Sequence, residues 1–191
     1  MIQQFKDYAT TKAYTDATEL PKGGYVCKVL NAQVKEGKNG KYVQIAYDIA
    51  EGDFKDYFKK LYDAKKDEDK KWSTYYFLNI PKDDGSEKDG WTKRTFKTFT
   101  NALEDSNEGY HFDWDEAKFK GKLVGGLFRY EEYQKQDGSV GRSTKMKNAC
   151  SVDKIHSGNY KLPDDKLIAT ATNTTTDFMN IPDGITEEIP F

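Results

Sequence analysis

Cysteine is scarce in this sequence: 191 residues hold two, Cys27 and Cys150, both in apolar, strand-like surroundings. That number excludes a disulfide framework and points to buried thiols in a reducing, cytoplasmic compartment. Histidine is as rare, with His111 and His156, and no Cys or His pair has the close spacing of a zinc ligand set. No apolar run approaches the roughly eighteen residues of a membrane span. The first twenty residues lack a basic segment followed by an apolar one, so no secretory signal is expected. "GKNGK" and "GGYVCK" contain glycine but match neither the phosphate-cradling loop nor the dinucleotide fingerprint, and no nucleophile elbow is present. The acids are scattered among lysines, as on a solvated surface. The expectation is a protein that is not an enzyme, with no catalytic residue, no cofactor, no metal and no membrane partner.

Aromatic rings, by contrast, are plentiful. Thirteen Tyr, eleven Phe and three Trp make up 14% of the chain. Some must form a core, but a surplus of rings beside Lys and Arg also suits a surface on which unpaired bases stack. Charge is divided unevenly beneath a net of −2. Residues 163–191 carry six acids against one base, while residues 1–162 carry 29 bases against 26 acids. A mildly basic body with an acidic tail is the arrangement of a polyanion-binding domain joined to an interaction segment.

Periodicity divides the chain into three parts: a leader over residues 1–22, a folded domain over 23–162 and a polar tail over 163–191. Residues 24–37, "GYVCKVLNAQVKEG", alternate with a period of two and end at the Asn39-Gly40 turn signal. The partner strand places Val43, Ile45, Tyr47 and Ile49 on one face and Tyr42, Gln44, Ala46 and Asp48 on the other. Phe54, Tyr57, Phe58 and Leu61 then fall at helical spacing, with Asp53 as the expected cap. "WSTYYFLNI" reads as a strand over 72–80, with a helix as the alternative, "PKDDGSEKDG" as a loop, and residues 91–109 as a helix with Phe96, Phe99 and Leu103 on its inner face. A helical turn over 113–119 precedes a long hairpin that reverses at Asp137-Gly138. Gly125 and Gly126, inside its first arm, predict a bulge, a bend or the close approach of another chain segment. This order of elements, mainly β with helical inserts, fits a five-stranded Greek-key barrel of the OB type. Other α+β arrangements fit it as well.

Cations sit beside rings at several strand positions. The pairs Tyr25 with Lys28, Lys41 with Tyr42, and Lys71 with Trp72 are joined by Arg129, Tyr133 and Lys135 on one arm of the last hairpin and Arg142, Lys145 and Lys147 on the other. Single-stranded nucleic acid needs both kinds of group. Cations release the counterions of the phosphates, and flat rings stack on bases at ~1–3 kcal/mol each.

The chain ends Glu187-Glu188-Ile189-Pro190-Phe191. In this ending it resembles the bacterial single-stranded DNA-binding proteins, whose acidic tails close on Asp-Asp-Ile-Pro-Phe or a near variant. The body looks like the replication proteins that phages and mobile elements encode. The resemblance implies an OB-type domain that binds and protects single-stranded DNA in replication, recombination and repair. It implies that the tip recruits partner enzymes, with Phe191 in an apolar pocket, its carboxylate on a basic group, and Glu187 and Glu188 on a basic rim. It also admits a homo-oligomer. The sequence departs from that family in a linker rich in Thr and Asn and in inserts near residues 53–71 and 82–118. A protein-interaction or recombination-mediator module with weak intrinsic DNA affinity is the alternative.

Overall fold

A computed structural model describes residues 19–168 together with Lys6 and Tyr8. Five strands form one antiparallel sheet: β1 (Gly23–Gly37), β2 (Gly40–Ile49), β3 (Tyr75–Asn79), β4 (Leu123–Gln134) and β5 (Val140–Cys150), in the order β3-β2-β1-β4-β5. Three helices accompany it: α1 (Tyr57–Ala64), α2 (Glu87–Ser106) and α3 (Val152–Ser157), with a 3-10 turn at Glu116–Phe119. The long β1 is shared. It pairs with β2 from Cys27 to Gly37, but with β4 only from Gly23 to Lys28. A bulge between Val29 and Asn31 bends it where the two pairings diverge.

The period-two reading of β2 holds. Val43, Ile45, Tyr47 and Ile49 are buried, and with Cys27, Val29, Leu78 and Phe128 they line the inner face. Helix α2 lays Phe99 and Leu103 against that face, and Phe119 of the 3-10 turn packs beside Phe99 with the rings tilted by 53° and their centres 5.8 Å apart. Each such side chain contributes about 2 kcal/mol on leaving water. Both thiols are free and buried, and burial pushes each above its ordinary pKa.

Several boundaries depart from the sequence expectation for local reasons. Helix α1 begins at Tyr57, and Asp53 does not cap it. Asp48 of β2 takes that role from across the fold, accepting the backbone N–H groups of Phe58 and Lys59 at 3.0 Å each. These are two of the first-turn donors that a helix cannot satisfy internally. Asp48→Ala should therefore lower stability by about 2 kcal/mol, a fall of about 6 °C in melting temperature by calorimetry.

Helix α2 begins at Glu87, inside the segment expected to be loop. Ser86 Oγ accepts Asp89 N–H at 3.1 Å, and this cap with Glu87 and Asp89 in the first turn outweighs Gly90 as a breaker. Strand β3 is shorter than residues 72–80 because its pairing with β2 stops at Ala46 opposite Tyr75. The turn after β4 reverses at Gly138, whose φ of 82° a residue with a side chain rarely adopts. For Gly125 and Gly126 close approach is the explanation. A Cβ on Gly125 would stand 2.7 Å from Ile155 and 2.9 Å from the Cys150 carbonyl, and one on Gly126 2.8 Å from the Phe128 ring.

Packing extends past residues 23–162 at both ends. Leu20 is buried in the core, and Glu19 meets Arg142 at 2.9 Å. Lys22 meets Asp165 at 2.6 Å. Lys166 forms a parallel bridge with Glu131, donating its N–H to Tyr130 O and accepting from Glu132 N–H, each at 2.9 Å. Beyond residue 168 the tail, with its tip at 187–191, lies outside the described residues.

Candidate nucleic-acid interface

Alternation along β3 buries Tyr76 and Leu78 and turns Tyr75, Phe77 and Asn79 outward. The register sets Phe77 opposite Gln44 and Asn79 opposite Tyr42. The outer face therefore carries a row of rings: Tyr42 lies 5.6 Å from Phe77, and Tyr75 lies 6.2 Å from it. Phe77 is 56% exposed, and with Tyr42 and Tyr75 beside it forms a contiguous aromatic patch at the edge of the sheet. Trp72 extends the row beyond the strand. It leans on Tyr62 of α1 at 5.7 Å and is held by an Nε1 hydrogen bond of 2.7 Å to Thr74 O.

Concave surfaces follow this row around β3. A cleft of about 640 Å³ between α1 and the sheet is bordered by Lys28, Leu30 and Trp72. Leu30 and Trp72 also border a second hollow of about 300 Å³, which includes Gln44 and Tyr75. Tyr75 and Phe77 in turn border a groove of about 560 Å³ whose far wall is β5, with Lys145, Met146 and Lys147. The two edge strands of the sheet thus face each other across one groove. Helix α2 closes it on one side with Lys88 and Trp91, and Trp91 is 62% exposed beneath the Arg94 guanidinium at 5.2 Å.

Of the residues singled out from sequence, Lys28, Tyr42 and Trp72 lie on this track, and Lys145 and Lys147 lie across the groove from it. Lys41 lines a hollow at the start of α2 that shares Asn79 and Lys88 with the groove. The others are elsewhere. Tyr25 packs edge-on against Phe54 and Phe128 and donates its hydroxyl to Pro21 O at 2.8 Å; burial pushes its pKa up to about 12. Arg129 is held by Glu131 at 2.7 Å and by the Asp164 carbonyl. Burial raises the pKa of Glu131, but the Arg129 hydrogen bond and charge bring it below the ordinary value. Arg142 is bound to Glu19 and lies 4.3 Å over the Tyr130 ring, on the face opposite Arg129. Tyr133 covers Gly141 near the tip of the last hairpin, and Lys135 is exposed in its loop.

Sequence reasoning missed Phe77, Tyr75, Tyr62, Trp91 and Lys88. The strand residues had a signal in the alternation of Tyr75, Phe77 and Asn79. Lys88 had none, because it falls in the segment that reads as a loop; Trp91 opens the helix expected over 91–109, outside the inner face of Phe96, Phe99 and Leu103. No protein-family model matches the chain, and no curated protein does either. Among the described residues no helix is long and apolar enough to cross a membrane.

Proposed function

We propose that this protein binds and protects single-stranded DNA, with little sequence preference overall, in replication, recombination and repair, and that residues 187–191 recruit partner enzymes. The row of outward rings on β2 and β3 running into the lysine-edged groove carries the assignment. Stacking on such rings is tolerant of sequence, since every base has a π-face, and it is denied to duplex DNA, whose bases are already stacked. We read the sheet as an OB-type Greek-key barrel left open at the seam between β3 and β5. The strand order supports that reading, and the open seam is where a strand would lie.

Fluorescence anisotropy with labelled oligo-dT tests this directly. Binding should weaken with salt, with a logarithmic slope of about −3 for four or five lysines on phosphates. Stronger binding to duplex than to single strands overturns the proposal. One observation favours the alternative, a mediator module with weak DNA affinity: the two arginines of the last hairpin are already engaged by Glu131 and Glu19. That alternative stands if the chain lacking residues 187–191 fails to bind oligo-dT even at low salt.

A further inference from the structure

Helix α2 carries a run of charge of one sign. Between Asp89 and Glu104 it holds Lys93, Arg94 and Lys97 and no acid, in a chain whose acids outnumber its bases by 32 to 30. Phe99 and Leu103 bury the inner side of the helix, so these three cations stand on its outer side. Lys93 is bonded to Asp83. Arg94 and Lys97 are exposed and have no carboxylate partner among the described residues, whereas Arg129 and Arg142 are both paired.

Exposed rings flank these cations on both sides. Trp91, Arg94 and Lys97 are spaced by three, so they slant across the outer side of the helix as one ridge. That ridge starts in the groove. Trp91 borders it and, with Arg94, also borders a hollow of about 280 Å³ that shares Thr95 and Asn148 with the groove. On the other flank Phe96, next to Lys97, stacks on Trp114 with ring centres 6.3 Å apart and planes 14° apart. Trp114 is 81% exposed, and its φ of 69° is one that a bulky residue rarely adopts. Its neighbours hold it there. Phe112 packs 5.3 Å from the ring and donates its N–H to Glu104 at 2.7 Å, while Lys118 draws in Asp113 and Asp115.

A flat ring, a row of cations and a second flat ring repeat the chemistry of the groove, in which phosphates are neutralised beside stacked bases. Resting on the single-strand assignment above, we infer that the outer side of α2 is a second binding segment for the same strand. The strand leaves the groove past Trp91, lays its phosphates on Arg94 and Lys97, and stacks an unpaired base on Trp114. Arg94, 5.2 Å over the Trp91 ring, stands where the two segments join. An acidic protein segment would also meet the cations, but continuity with the groove through Trp91 favours the strand.

The test uses the full chain and labelled oligo-dT of ~8 and ~20 nucleotides, within and beyond the span of one OB-type groove. Trp114→Ala should weaken the long oligonucleotide roughly tenfold and leave the short one unchanged. Trp114→Phe, which keeps a flat ring, should restore most of the loss. Lys97→Gln should flatten the salt slope of the long oligonucleotide by about 0.7, the share of one phosphate, without changing that of the short one. Phe77→Ala should weaken both lengths alike. A long oligonucleotide indifferent to Trp114→Ala and Lys97→Gln, but still weakened by Phe77→Ala, overturns the α2 segment, leaves the groove intact and gives this face to a protein partner. Equal losses at both lengths in Trp114→Ala overturn it too, because the ring would then act through the groove or the fold. If no oligonucleotide binds, the single-strand assignment falls and the α2 segment with it.

Discussion

Replacing Phe77 and Trp91 together by alanine is expected to weaken binding to oligo-dT by roughly 100-fold, while each single replacement costs about tenfold. Both rings are largely exposed, on β3 and α2 respectively, and both border the groove between the edge strands. Stacking on a base replaces ring contact with water, so each ring contributes ~1–3 kcal/mol, and the contributions add when the rings hold separate bases. Their exposure is also why the double variant should melt within a degree or two of the parent: neither belongs to the buried cluster. An unchanged dissociation constant in a folded double variant would show that the strand lies elsewhere. The hairpin bearing Tyr133 and Lys135 would be the next surface to test.

The second large effect concerns the end of the chain. Deleting Glu187, Glu188, Ile189, Pro190 and Phe191 should abolish capture of replication and repair enzymes in a pull-down from bacterial extract, with no loss of melting temperature. An aromatic anchor stiffened by proline and flanked by two carboxylates supplies both contact area and steering toward a basic surface. DNA affinity of the truncated chain should be equal or higher, because a tethered polyanion competes with DNA for the lysines of the groove. A melting temperature several degrees lower would instead show that Phe191 packs on its own domain, and the recruitment proposal would fall.

What could be read from sequence followed the strength of local signals. The hairpin of β1 and β2 was legible because alternation and an Asn-Gly turn agree. The long hairpin of β4 and β5 was legible for the same reason. The role of Asp48 was not, because it depends on bringing a strand carboxylate beneath a helix that starts nine residues later. The start of α2 was obscured by Gly90, whose cost of about 1 kcal/mol in a helix is offset by the Ser86 cap and by packing. Among the site residues, adjacency of a cation and a ring in sequence was a poor guide. In a strand, neighbours point to opposite faces, so Tyr25 went inward while Lys28 stayed at the surface. Arg129 and Arg142 likewise read as free charge, although their carboxylate partners are Glu131, two residues along β4, and Glu19 of the leader. The groove itself arises only when β3 and β5, far apart in sequence, become the two edges of one sheet.

The two buried thiols give the molecule a built-in clock for its own opening. Cys27 lies on the central strand and Cys150 at the end of an edge strand, and both are covered in the folded state. A thiol reagent reacts with thiolate, and only once the thiol is uncovered. Modification of Cys150 therefore reports opening at the end of β5, where that strand passes into α3. Modification of Cys27 times the loss of the whole sheet. Comparing the two rates with and without a bound oligonucleotide would tell whether a ligand locks that end of β5 alone or the entire domain.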